Sequence, residues 1–334
     1  MSGQPLTRTL GRLGVLVLLA AAAALLATTT GAAGLSLGEV LAVLAGGGDA
    51  TARTIVLDLR LPRIALALVA GGGLAVSGAV FQALLRNPLA EPYILGVAGG
   101  AAVGAVGALT LGLAALPAAV PLAALAGAVG AILLVLRIAV RVGRVLDTRV
   151  LLLAGVVVGA FFNAVILMLL TMADVESFRS AIFWMMGSLA AASWGSVGLL
   201  ALYVVPAVLL LLGLARPLNL LSMGEETALF LGTRVQRVKL MAYLTASLLV
   251  AAAVATCGVI GFIGLIVPHG IRLVWGSDHR LLLPACLIGG GTFLLLADTA
   301  ARTLTAPAEL PVGVVTALVG VPIFIVLLRR SPAL

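Results

Sequence analysis

Hydrophobic and polar positions along this chain do not alternate; they segregate. Long apolar runs are separated by short corners where arginine, proline and asparagine gather. Read in order, the runs predict helices over 13–33, 61–84, 93–112, 115–137, 150–172, 194–215, 238–257, 259–275, 281–300 and 310–328. An α-helix needs about 20 apolar residues to cross the hydrocarbon of a bilayer, and most of these runs supply them. Inside lipid every backbone polar group must be paired within the structure, which leaves helices or a closed barrel. Barrel strands would alternate apolar and polar residues, and these runs do not. The expectation is an all-α polytopic membrane protein, one transmembrane domain over 1–334 with about ten helices. A tail at 1–12 and a polar segment at 216–237 flank or interrupt the spans. The pair 238–257 and 259–275 has almost no linker, so it reads either as two helices meeting at Gly258 and Gly261 or as one broken element.

Composition agrees. The 334 residues are 63% hydrophobic and only 10% charged, with a mean hydropathy of +1.27, where a soluble domain carries about 25% charged residues. Forty glycines suit close approach of membrane helices, and the hydrophobicity is too high for a disordered Gly/Ala tract. The first apolar run resembles a leader peptide, but the many later spans favour a retained helix. Cys257 and Cys286 lie in or beside apolar runs and read as packing residues.

The net charge of +8 belongs to the loops. With the N-terminus placed in the cytoplasm, the cytoplasmic side holds Arg8, Arg12, Arg86, Arg137, Arg141, Arg144, Arg149, Arg216, Arg234, Arg237, Lys239, Arg272, Arg280, Arg329 and Arg330. The outer side keeps Arg53, Arg60, Arg63, Arg179 and Arg302. That asymmetry obeys the positive-inside rule with both termini cytoplasmic. No aromatic-basic platform supports nucleic-acid binding. Arg60, Arg63 and Arg302 are the exceptions. Each sits at the outer end of a span, as a snorkelling side chain or as part of a docking surface for an acidic partner. Arg302 has Asp298 one helical turn before it.

Three polar places punctuate the other side. The segment 216–237 is expected to form a short helix, with Pro217 stopping the preceding span, Ser222 and Glu225 as a capping box, and Gly232 at its end. It reads equally as a handle for a soluble partner or as an amphipathic loop on lipid. The corner Arg86–Asn87–Pro88–Leu89–Ala90–Glu91–Pro92 is stiffened by its prolines. Asn87 offers its amide either to a path along 61–84 or to the turn itself. Asp147 and Thr148 precede another span, as its N-cap or as the lining of a constriction. The glycines of 258–264 read as a packing face. His269 and His279 lack a second ligand at metal spacing and read as interfacial polar residues. No phosphate-loop, zinc-protease or serine-hydrolase pattern is present, and no carboxylate is placed near a span's centre, where ion-driven carriers keep theirs.

Together RLPR at 60–63, SGAVFQALLRNPLAEPYILG at 77–96, LNLLSMGEETALFLG at 218–232, GFIGLIVPHGIR at 261–272, LLLPA at 281–285 and LADTAARTLTAPAELPVGVVTALVGVPIFIVLL at 296–328 resemble the FecCD/BtuC family of ABC importer permeases. The resemblance runs from about residue 53 to the C-terminus. It implies a non-enzymatic translocation subunit of the bacterial cytoplasmic (inner) membrane, forming a homodimer in lipid with the pathway on its axis. Two copies of a cytoplasmic ABC ATPase, which would carry ATP and Mg, and a periplasmic or lipoprotein binding protein would complete the importer. No cofactor is expected on this chain, and the cargo class would be a bulky metal chelate: iron-siderophore, haem or cobalamin. By resemblance Arg60, Arg63 and Arg302 would meet acidic residues of the binding protein. Leu218, Asn219, Leu220, Leu221, Ser222, Met223, Gly224, Glu225, Glu226, Ala228, Leu229 and Gly232 would couple to the ATPase, and Asn87, Asp147 and Thr148 would form the cytoplasmic gate. Where vitamin B12 permeases of the family carry small hydroxyl residues this chain has Asp147, a carboxylate expected to repel anionic cargo or to bond Arg149. The rival reading is a stand-alone ion-coupled secondary transporter.

Overall fold

A computed structural model describes residues 6–31, 33–116, 118–143 and 146–330. Arg144, residues 1–5 of the expected tail and the side chain of Arg330 lie outside the described residues. The order is α1 (Leu6–Thr29), α2 (Leu37–Leu44), α3 (Ala50–Arg53), a π-helical turn (Thr54–Arg60), α4 (Leu61–Leu84), α5 (Val97–Thr110), α6 (Ala119–Gly143), α7 (Thr148–Met172), α8 (Val175–Met185) and α9 (Trp194–Gly213). Then come α10 (Ala215–Ser222), α11 (Glu225–Phe230), α12 (Val235–Cys257), α13 (Ile263–Trp275), α14 (His279–Thr303) and α15 (Val312–Arg330). No strand occurs among the described residues. Seven helices are long and apolar enough to cross a membrane, and α5, α13 and α15 add three shorter apolar ones. The about ten spans read from the runs therefore all correspond to helices.

The centre is α4. Every residue from Ala70 to Leu84 is buried, because its small side chains let neighbours close in from all directions. A Cβ at Gly71 would overlap the carbonyl oxygen of Gly290 on α14, and one at Gly78 would overlap that of Gly264 on α13. Without a hydrophobic drive between helices in lipid, such close backbone packing is what holds them. From 70 to 84 α4 has no open face within the protomer, while Leu61, Arg63, Ala65, Leu68 and Val69 in its first half are partly exposed. The outward faces belong to other helices. In α4 and the turns before it 83% of the most apolar stretch is buried, against 28% in each of α6, α7 and α9 and 11% in α1.

Several boundaries move. The span expected from 61 begins at Ala50, because Asp49 accepts from the Ala52 amide (3.2 Å) and starts a helix through residues that read as a polar loop. Within 54–60 the ladder is π-type, with the Leu61 amide bonding Val56 O. In that register the donor for Leu57 O is residue 62, which is proline and has no N–H. Trp194 at the start of α9 supplies the missing bond from Nε1 (3.0 Å). Residues 6–12 of the expected tail belong to α1. The 238–275 region is two helices. Gly258 at φ 72° ends α12 where a Cβ would press on Trp184 O, and the break is stitched to Tyr93 by bonds through its hydroxyl to Ile260 O (2.6 Å) and from Ile260 N (3.0 Å). Glu91 accepts from the Phe262 amide (2.8 Å), and its burial raises its pKa above the usual carboxylate range.

Candidate functional site: two polar ends

At one end of the bundle, the arginine end, three guanidiniums cluster, and two of them meet the terminus of α1. The last carbonyls of a helix have no partner of their own. Arg60 takes Thr28 O and Ala33 O, and Arg302 takes Ala27 O (3.2 Å). A guanidinium buried at the end of a membrane span is costly unless its donors are answered, and these carbonyls answer them. Arg63 grips Asp298 through Nε (2.9 Å) and Nη2 (2.9 Å) and reaches Glu309 with Nη1 (3.1 Å) and Nη2 (2.9 Å). Asp298, only 1% exposed, also faces Arg302 at 3.3 Å. The cluster ties α1, α4, α14 and the segment before α15 together. Arg60 is not a snorkelling side chain: it is 6% exposed. Above the cluster lies a cavity of ≈ 380 Å³ lined by Arg60, Arg63, Arg302, Glu309, Ala190 and Pro307 among others. Three arginines against two carboxylates leave it one net positive charge. Glu309 was not singled out in the sequence; its place beside a proline-rich corner gave no local sign of a partner 246 residues away.

The opposite, short-helix end carries the 216–237 segment. Two helices form where one was expected. Pro217 does not stop α9, which ends at Gly213; it sits in the first turn of α10, where its missing N–H costs nothing. The expected capping box is absent. Ser222 is the last residue of α10 and donates to Leu218 O (2.9 Å), and Gly224 at φ 126° precedes α11. Gly232, at φ 79°, does end α11: its amide bonds Leu229 O (2.9 Å) and the Thr233 amide bonds Ala228 O (2.9 Å), a Schellman closure. Leu218, Leu221 and Ala228 point into the protein, while Ser222, Met223, Glu226, Leu229, Phe230 and Leu231 are exposed. Phe230, 88% exposed, is an apolar tip that the sequence pattern did not single out. Beside it an open groove of ≈ 480 Å³ is lined by Glu225, Glu226, Leu229, Arg234, Gln236 and Arg237.

Each short helix is tied to a different long one. On α10, Asn219 Nδ2 donates to Asp278 (2.8 Å), and its Oδ1 accepts from the His279 amide (2.9 Å) and lies 2.6 Å from His279 Nδ1, at the start of α14. On α11, Glu225 meets Lys239 of α12 at 2.8 Å and Thr148 of α7 at 3.4 Å. Both histidines are buried rather than interfacial: His279 is 2% exposed, and His269, 5% exposed, packs edge-on to Phe324.

Asn87 and the Asp147–Thr148 pair approach the same corner. Thr148 Oγ1 lies 3.4 Å from Leu84 O, at the end of α4 and just before Asn87. Asn87 is exposed and spends its Oδ1 on the Leu89 amide (2.9 Å), closing its own turn. Asp147 caps α7, accepting from the Arg149 amide at 2.7 Å and the Val150 amide at 3.4 Å. The first of these bonds, more than any neighbouring charge, holds its carboxyl below the ordinary range. The expected bond to Arg149 is thus made to its main chain.

Comparison with known proteins matches this arrangement to one family. The FecCD transport family pattern covers residues 17–330. The hemin transport system permease HmuU of Yersinia pestis is 43% identical over 281 residues, 83% of this chain and 84% of that one. The cobalamin import permease BtuC of Halobacterium salinarum is 47% identical over 284 residues, 84% and 74%. A solved chain described as an inward-facing conformation of a metal-chelate type ABC transporter superposes with a TM-score of 0.87 at 33% identity, covering 96% of this chain and 99% of that one. With its helices, its two polar ends and most of its length accounted for, the chain belongs to the FecCD transport family, the multi-pass membrane permeases of ABC transporters.

Proposed function

We propose that this chain is the translocation subunit of an importer for a bulky metal chelate, of the iron-siderophore, haem or cobalamin class. It works as a homodimer in the bacterial inner membrane by alternating access, with both termini and the short-helix end in the cytoplasm. Energy comes from two copies of a separate ATPase that seat on α10 and α11. A periplasmic or lipoprotein binding protein delivers cargo at the arginine end, where the cavity over Arg60, Arg63 and Arg302 takes an acidic residue. Asn87, Asp147 and Thr148 stand at the cytoplasmic gate. The observation that carries this reading is the similarity over most of the chain to hemin and cobalamin permeases.

The surface supports it. Phe230, Leu229 and Leu231 form an exposed apolar tip flanked by charges, the chemistry of an interface core with a polar rim. Asn163 is exposed in the middle of α7, where an amide facing lipid is unfavourable; a second copy or a water-filled path around the dimer axis gives it polar company. Reconstitution tests the proposal. In proteoliposomes holding this chain with its ATPase and binding protein, radiolabelled cyanocobalamin or hemin accumulates only when ATP is supplied. Uphill accumulation by the isolated chain, driven by an ion gradient, would refute it.

A further inference from the structure

At the short-helix end one buried amine anchors the polar contact of α11. Lys239 sits one turn into α12 and is 3% exposed. A lysine within a span is costly unless its charge is answered. Its partner is Glu225, the first residue of α11, at 2.8 Å. The same Glu225 oxygen lies 3.4 Å from Thr148 Oγ1, at the first residue of α7. One turn earlier on α12, Gln236 accepts from the Leu146 amide at 3.0 Å, fixing the segment that leads into α7. Asp147 belongs to that segment, and its carboxyl feels the field of Lys239. Lys239 on α12 therefore holds Glu225 of the short surface helix, and Glu225 in turn reaches Thr148 at the entry to α7.

We propose that Lys239 is a positioning residue that locks α11 to the start of α7, so that a push on α11 is delivered to the Asp147–Thr148 corner. This rests on the reading of α10 and α11 as the ATPase seat. The physical reason is geometric. Glu225 is about a third exposed and would swing freely without the amine; held by it, the carboxylate stays within 3.4 Å of Thr148 and passes movement of α11 to that corner. The second short helix has no such reach, since Asn219 engages only the start of α14.

A thiol reporter tests this without knowledge of the cargo. Cys257 and Cys286 are buried, so a cysteine introduced at exposed Arg149 (R149C) reports on the gate when labelled by a membrane-impermeant maleimide. The whole transporter, co-purified with its ATPase in lipid nanodiscs, is labelled with and without ATP plus vanadate. Coupling between sites typically amounts to about 5–150-fold, so trapping should change the labelling rate on the order of tenfold. With Lys239→Met the ATPase still co-purifies and hydrolyses ATP, but the change in labelling falls below about twofold on that same scale. Lys239→Arg keeps the ion pair and restores the response. A merely structural lysine would lower the melting temperature and leave the response of the folded complex intact, and that result overturns the proposal. Should Lys239→Met fail to assemble, Thr148→Val removes only the last link, and an undiminished response there overturns it equally. A wild-type reporter insensitive to nucleotide would instead overturn the gate reading beneath it.

Discussion

The two ends of this protein use similar side chains to opposite effect. At the arginine end, Arg60 and Arg302 are spent on backbone carbonyls in and just after α1, Arg302 also faces Asp298, and Arg63 is shared between Asp298 and Glu309. Every cation there closes a contact between elements that are also packed side by side, so the cluster stiffens. At the short-helix end, Glu225 and Asn219 connect two short surface helices to three different long ones. Of the two, α10 also packs Ala215, Leu218 and Leu221 inward, whereas α11 buries only Ala228 and leans on its polar link. Charge placed over good packing makes an anvil; charge placed between poorly packed parts makes a hinge pin. An importer needs both, one to receive a partner and one to be moved by another.

Removing the central carboxylate breaks the comparison hardest. Asp298→Asn leaves Arg63 and Arg302 facing each other with only Glu309 in reach. Breaking a buried pair from one side costs about 3–5 kcal/mol, so thermal melting in detergent should show a large loss, with α1 released to proteolysis. A melting curve like that of wild type would mean the cluster is not the clamp described here. Sharper is a matched pair of carboxylate-to-amide changes. Glu225→Gln strands Lys239 in the interior and is expected to cost about 2 kcal/mol after allowance for the partial exposure of the glutamate. Glu309→Gln, at a residue 43% exposed, should cost less than about 1 kcal/mol. Equal losses would erase the distinction between the ends.

The smallest effect is at the cap of α7. Asp147→Ala should lose about 1 kcal/mol at neutral pH. Because the folded carboxyl titrates below its unfolded value, its contribution is complete above roughly pH 4 and disappears as the pH falls through the lower, folded value. Wild type and D147A should therefore differ at pH 7 and converge at acid pH; a gap that persists at acid pH would assign the loss to something other than ionised Asp147.

What the sequence disclosed and what it withheld follow physical lines. Spans were legible because lipid forces each helix to announce itself as an apolar run. Helix starts such as Ala50 were not, since Arg53, Asp58 and Arg60 look like loop residues until the partners of the guanidinium are known. The Arg302–Asp298 pair could be read one turn apart; the contact of Arg63 with Asp298, 235 residues distant, could not. In 216–237 the local pattern misled, because Ser222 had a better acceptor in Leu218 O than a helix to cap. Lys239 passed as one more basic residue near a span end, although an ionisable side chain inside the first turns of an apolar helix was itself the available signal.

The glycine seam between α4 and α14 sets a limit on any working stroke. Gly71 and Gly290 leave the two backbones touching, with Leu294 and Ala75 filling the rest. A slide or twist by even part of a turn would drive a side chain into a carbonyl, so this pair behaves as a stator. Conformational freedom has to be sought in the loosely held periphery, which turns about a keel that cannot bend.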